Sequence, residues 1–247
     1  MNSIAYNFSD FTWDSYRELL RLAKKEYSFE NYSTWHSNEK FVIWRHDVDF
    51  SMHSALNLAR IENCEGVKTT YFLLLHSEFY NLLEKEISDL VFNIIDLGHN
   101  IGLHFDSSFY NITDINEFEE KLVLERKILE SIYGVDVHAF SFHNPSSYDL
   151  SLKNEQYGGM YNTYSHVFQN EISYCSDSNG YWRHKRLYDF LINKHSCMQV
   201  LTHPEWWQEY VMSPNEKVKK CIEGRSVNTY KFYLKTLEKH NRENIDW

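Results

Sequence analysis

Carboxylates and imidazoles stand at the ends of several apolar runs in this sequence: Asp47 and Asp49 after one, His104 and Asp106 after a second, His143 after a third and His203 after a fourth. Side chains of these types, brought to one point, can hold a divalent cation with a coordination position open for water, while a neighbouring carboxylate takes the water's proton. That chemistry polarises a carbonyl and hydrolyses it. In Asp-Val-Asp at 47–49, alternate side chains of an extended chain share a face, so one carboxylate can bind metal and the other act as base. An isolated pair of this kind more often caps a helix or pairs with a residue such as Arg45. The repetition at separate strand ends favours convergence.

The elements that must position these groups follow from periodicity. FVIW at 41–44 runs into polar 45–49, the pattern of a buried parallel strand reaching the mouth of a sheet, and Ser51 can cap a helix to about 63. The β-branched and aromatic stretch 67–75 predicts a second strand, and 79–97 a helix closed by Gly98. A third strand spans Asn100–Phe105, a charged amphipathic helix spans Ile115–Tyr133 before Gly134, and a fourth strand at 138–142 stops at Asn144-Pro145. Later come a turn at Tyr157-Gly158-Gly159, a short strand at 172–174, a short helix at 186–192 and a last strand at 198–202. Amphipathic helices at 11–27 and 217–240 flank these units. Alternating strands and helices predict an α/β fold, a distorted (β/α) barrel of about seven strands, as one domain over 1–247 with its core at about 40–207.

A formal net charge of -10 repels phosphate backbones and argues against nucleic acid or an acidic polymer as partner. The aromatic content of 17% suits a cleft that stacks on sugar rings, and equally an aromatic core. Cys64, Cys175, Cys197 and Cys221 are scattered without metal-ligand spacing and read as reduced thiols. No basic start followed by an apolar core opens the chain, and no run approaches the ~20 apolar residues of a membrane span, so a cytoplasmic location is expected. Oligomeric state leaves no trace in the sequence.

Four segments, RHDVD at 45–49, GHNIGLH at 98–104, SFHNP at 141–145 and LTHP at 201–204, resemble in order and approximate spacing the motifs of the polysaccharide deacetylase family, the nodulation-protein homology domain of carbohydrate-esterase type. The resemblance covers about 40–207. It implies Asp47 as general base, Asp49 and His104 as metal ligands, His203 as general acid, and a divalent cofactor, Zn²⁺ first with Co²⁺ or Mn²⁺ as alternatives. The chain departs from the family at two points. The second histidine ligand falls on Ser108, a poor ligand at neutral pH, and the arginine that holds the catalytic aspartate aligns with His143. His143 can restore the third metal position from the adjacent strand end, with Asp106 as the competing ligand; alternatively it hydrogen-bonds Asp47.

Trp206 and Trp207 would stack a sugar at the mouth or pack a loop. Asp106, Asn144 and Asp177, with the polar and aromatic 174–183 segment containing Asn179, Trp182 and Arg183, would line a substrate pocket or form an ordinary loop. His46 should point away from Asp47 and is read as structural or supporting. His76 and the remaining histidines have no supporting pattern. The activity implied by the resemblance is hydrolysis of an N-acetyl or N-formyl amide on a small carbohydrate in bacterial surface-polysaccharide or lipopolysaccharide assembly, and the expected cytoplasmic location favours a nucleotide- or lipid-linked sugar over a finished polymer. The rivals are a cyclic-amide or ureide amidohydrolase on the same barrel and a carbohydrate-binding relative that lost catalysis through Ser108.

Overall fold

All eight residues of the first long strand, Phe41–Val48, are buried, so it does not stop at Trp44 where the apolar run ends. Arg45, His46 and Asp47 continue it because each finds polar partners inside the protein. The computed structural model describes residues 6–37, 40–193 and 195–245.

In chain order the strands are β1 (Ser28–Glu30), β2 (Phe41–Val48), β3 (Thr70–Leu74), β4 (Asn100–Phe105), β5 (Ala139–Phe142), β6 (Gln156–Tyr157), β7 (Met160–Asn162), β8 (Ser173–Ser176) and β9 (Cys197–Thr202). They form a nine-stranded sheet in the order β6-β7-β5-β4-β3-β2-β9-β8, with β1 added beside β2. Every pairing is parallel except the β6–β7 hairpin. That hairpin turns at Gly158 and Gly159, whose φ angles of 56° and 74° suit the mirror-image turns that match strand twist. The sheet is open and strongly curled, a half-barrel of distorted (β/α) type flanked by helices. It exceeds the expected seven strands because β1, β6 and β7 have only two or three residues, too few to leave a period-two signal.

The helices are α1 (Trp13–Lys24), α2 (Met52–Glu65), α3 (Lys85–Asp96), α4 (Ser107–Tyr110), α5 (Ile115–Tyr133), α6 (His166–Asn170), α7 (Leu187–Ile192) and α8 (Pro214–Lys239). Ser51 caps α2 by accepting from the Ser54 amide, Asp114 caps α5, and Gly66 and Gly134 end these helices in the left-handed conformation. The one-turn helices α4 and α6 have no counterpart in the sequence reading, and two of the expected helices differ from it. α3 starts at Lys85, six residues after the predicted start, following a turn in which Asn81 accepts from the Leu83 amide. α8 carries one buried residue, Lys217, and leaves Ile222, Val227, Tyr230, Phe232 and Tyr233 exposed, so most of it stands away from the core.

Alternation along β2 divides the core. Val42 and Trp44 pack outward with Tyr16 and Leu20 of α1, while Phe41 and Ile43 point into the curl with Tyr32 and Phe72. Asp47 continues the inner set. Inside the curl Gly102 of β4 lies flat against Phe72, its register partner on β3; an added Cβ would stand 2.5 Å from that ring. No helix among the described residues is long and apolar enough to cross a membrane.

Candidate metal centre

Asp49 lies just past β2, His104 within β4 and His143 just past β5, and the curl of the sheet brings their tips together at one strand-end face. Oδ1 of Asp49 is 3.1 Å from Nε2 of His104 and 3.5 Å from Nδ1 of His143, and these two nitrogens are 3.3 Å apart. A tetrahedral ion with bonds of about 2.0–2.1 Å separates its ligands by about 3.3 Å. The three atoms therefore already outline one face of a coordination tetrahedron, and an aspartate–histidine–histidine cluster able to coordinate a metal ion is present.

Neighbours orient the rings. His104 donates from Nδ1 to the Ser141 carbonyl at 3.0 Å, which aims its Nε2 at the centre, where it donates to Asp49 from the charged ring and offers a lone pair from the neutral one. The Asn144 side-chain amide nitrogen donates to Nε2 of His143 at 2.8 Å, which puts the ring proton on Nδ1, facing Asp49; turning that amide to present its Oδ1 moves the proton to Nε2 and frees Nδ1 to coordinate. Burial opposes ionisation of Asp49, but hydrogen bonds from His104 and His143 and the charge of His203 outweigh it and hold the carboxyl well below the usual range. Burial likewise pushes the His143 ring down, and its contact with Asp49 more than reverses this, leaving it raised.

Asp47 lines the same cavity without belonging to the cluster. Its Oδ2 accepts from Ser141 Oγ at 2.8 Å, and Oδ1 lies 3.5 Å from Nη1 of Arg45. Pairing with Arg45 and a place beside the ligands, rivals in the sequence, thus coexist. The buried Arg45 guanidinium also donates to Thr163 and sits between the rings of Phe72 and Tyr164. On the far side, His203 Nε2 lies 4.0 Å from Oδ2 of Asp49, and its Nδ1 lies 2.6 Å from Oδ1 of Asp177. Burial disfavours the charged ring, but the Asp177 carboxylate overcomes this and pushes it up to about 10, so it is protonated at neutral pH.

Several residues sit elsewhere than expected. Asp177 does not line the cavity: it is fully buried and accepts from the His203 amide and from Trp207 Nε1 as well as from the His203 ring. Trp207 is 1% exposed and packs on Phe11 and Tyr16, because its indole N–H is used to hold Asp177; Trp206 does reach the cavity wall. Asp106 and Asn144 line the cavity, but Asp106 Oδ1 is engaged by the Ser108 amide and hydroxyl as the cap of α4 and lies outside the cluster. His46 faces the other side of the sheet and contacts Glu62 at 2.6 Å. His76 was passed over, yet it lines the cavity, contacts Glu125 at 2.8 Å and stacks on Phe109. Its position directly after the 67–75 run was the available signal, the same strand-end placement that marked His143. The cavity these groups share measures about 740 Å³, within the ~300–1,000 Å³ of small-ligand sites.

No family model matches the chain, and a search of curated proteins finds no match. Solved structures similar to it include a family 4 carbohydrate esterase from Bacillus anthracis, with 18% identity, 86% of each chain covered and a TM-score of 0.46. Another is a family 4 carbohydrate esterase from Streptomyces lividans in complex with acetate, with 12% identity, 78% of this chain and 89% of that one covered, and a TM-score of 0.45. A CE4 family pseudoenzyme from Bacillus anthracis shows 16% identity and a TM-score of 0.43 over 78% of this chain; the chain spans 63% of that protein's length. Likenesses at this level assign no roles to individual residues, which rest on the geometry above.

Proposed function

We propose that this chain is a metal-dependent hydrolase that removes an N-acyl group, acetyl or formyl, from a sugar. The observation that carries the reading is the spacing of Asp49 Oδ1, His104 Nε2 and His143 Nδ1 as one face of a tetrahedron, with Asp47 and a protonated His203 on the same cavity. The donor set of one carboxylate and two imidazoles fits a catalytic zinc site, with cobalt or manganese as alternatives. Bound there, the ion supplies Lewis-acid polarisation of the acyl carbonyl and a more acidic water.

The chain's own residues do the rest. Asp47 takes the water's proton, its carboxylate held in place by Ser141 and Arg45. His203, kept charged by Asp177, gives its proton to the departing amine and so prevents expulsion of an unstable anion. The motif resemblance at 45–49, 98–104 and 201–204 points to surface-polysaccharide assembly as the setting, and the nucleotide- or lipid-linked form of the amino sugar follows from the expected cytoplasmic location. The test is release of acetate or formate from N-acylated nucleotide sugars by zinc-loaded protein. Asp47→Asn should retain metal and lose about 10²–10⁴-fold in kcat. Equal turnover by that variant refutes the base assignment.

A further inference from the structure

The rim of the same cavity carries a charge that the hydrolysis does not use. Arg183 lines the cavity, is exposed, and takes part in no ion pair among the described residues. Of the other eight arginines, Arg17, Arg21, Arg45, Arg126, Arg186 and Arg225 have a carboxylate partner, while Arg60 and Arg242, which lie away from the cavity wall, have no ion pair among the described residues. Arg183 is also the one lysine or arginine among the described residues of the wall, facing acids that include Asp49, Glu78 and Asp106.

The segment that presents Arg183 is anchored on both sides. Asp177, upstream, is bound by the His203 and Trp207 N–H groups. Trp182 Nε1, immediately upstream of Arg183, and Nε and Nη2 of Arg186, three residues downstream, donate to Asp10 at 2.6–2.8 Å. Between them Gly180, at φ 77°, passes so close to Trp206 that an added Cβ would lie 2.9 Å from its ring. The backbone is thereby fixed and the guanidinium is left over.

We infer that Arg183, with Ser178 and Asn179 on the same wall, receives a phosphate group carried by the sugar. The inference rests on the N-acyl-sugar reading for its direction. The acyl carbon must reach the ligands from β2, β4 and β5, and the amine nitrogen must reach His203, which supplies its proton. His203 follows β9, and β8, paired to β9, leads into the segment bearing Arg183. The sugar attached to that nitrogen therefore extends toward Arg183. A phosphate on the ring carbon next to the amine-bearing carbon is only a few bonds away from that nitrogen. The overall charge of -10 repels a polyanion at a distance, whereas a single phosphate is held by a local bidentate contact.

The test uses zinc-loaded protein and probes that cannot be deacylated, glucosamine 1-phosphate against glucosamine, titrated calorimetrically. The phosphorylated probe should bind about 10–100-fold more tightly, as a charge-assisted contact implies. Arg183→Gln should reduce that advantage to less than about threefold, Arg183→Lys should keep part of it, and Lys185→Gln on the same segment should keep it whole. Thermal unfolding of each variant confirms that it is folded. An unchanged advantage in Arg183→Gln, or none in the wild type, overturns the inference. Nucleoside-diphosphate and isoprenyl-phosphate forms of the amino sugar separate the two sources: tight binding of either supports the site and identifies the linkage, and failure of both overturns it. Acetate release is scored separately. Arg183-dependent phosphate binding without any deacylation sinks the hydrolase reading alone, and deacylation without Arg183-dependent binding sinks this inference alone.

Discussion

Two clusters of acid and imidazole lie on opposite faces of β2, built from adjacent residues, and they are chemically unlike. On the outer face Glu62 of α2 contacts His46 at 2.6 Å, and its two oxygens also accept from Tyr16, Thr69 and Tyr71. His46 contacts Thr202 through its other nitrogen, and His99 is held by the Ala59 carbonyl and Thr69. Hydroxyl donors thus satisfy the carboxylate inside a sealed core, and no lone pair remains for an ion. On the inner face Asp49 Oδ1 meets only the ring nitrogens of His104 and His143, with no hydroxyl to complete it, and the group opens on a cavity. The same residue types become a structural network where hydroxyls complete them and a cluster able to coordinate a cation where nothing does.

Removing the outer carboxylate should have the largest effect on folding. Glu62→Ala leaves His46 buried without its partner and should cost about 3–5 kcal/mol in denaturant unfolding, with metal stoichiometry of the folded protein unchanged. Asp49→Ala also removes a carboxyl that His104, His143 and His203 hold ionised, so it too should destabilise the metal-free protein, but it alone should abolish metal binding. If Glu62→Ala loses the metal or Asp49→Ala keeps it, the contrast fails. A pH series sharpens it. Burial opposes ionisation of Glu62, but the His46 charge and hydrogen bond outweigh it and bring the carboxyl down to about 2, against 4.5 ordinarily. Because the folded value is the lower one, this contribution of roughly 3 kcal/mol is present above pH 4.5 and is lost as pH falls through 2. Acid unfolding of the wild type should therefore steepen in that window, and Glu62→Gln should flatten it.

Smaller effects divide the inner face. His143→Ala should weaken zinc binding at least about a hundredfold, near 2.7 kcal/mol, and Asp106→Ala by less than about threefold, measured by chelator competition. The opposite ranking would return the third position to Asp106. Ser141→Ala removes one hydrogen bond to Asp47 and should lower kcat by about tenfold with metal content unchanged, consistent with a loss near 1.4 kcal/mol. An unaffected rate would mean that Arg45 alone positions the base.

The parts of the fold legible in the sequence were those with local punctuation. β4 and α5 run over the predicted residues because Gly98 and Gly134 bound them and their periods are clean. β2 was read short because a polar residue in a strand looks like its end, whereas Arg45, His46 and Asp47 are accommodated by Thr163, Glu62 and Ser141, partners 16 to 118 positions away that no window contains. Strand-end acids and imidazoles were visible as a set because a parallel sheet gathers its strand ends on one face. The supporting contacts were not. For Asp177 and Trp207 the sequence leaves wall and loop-packing roles open, and the choice rests on the long-range bond between them, which with the His203 contact sets both in the core.

The central claim is that Asp49, His104 and His143 share one divalent ion, and X-ray absorption at the zinc edge of the zinc-loaded protein tests it most directly. The account predicts about one zinc per chain, with two imidazole nitrogens and carboxylate oxygen at about 2.0–2.1 Å, and one imidazole fewer in His143→Ala. A spectrum without imidazole ligands, or one unchanged in His143→Ala, would contradict it.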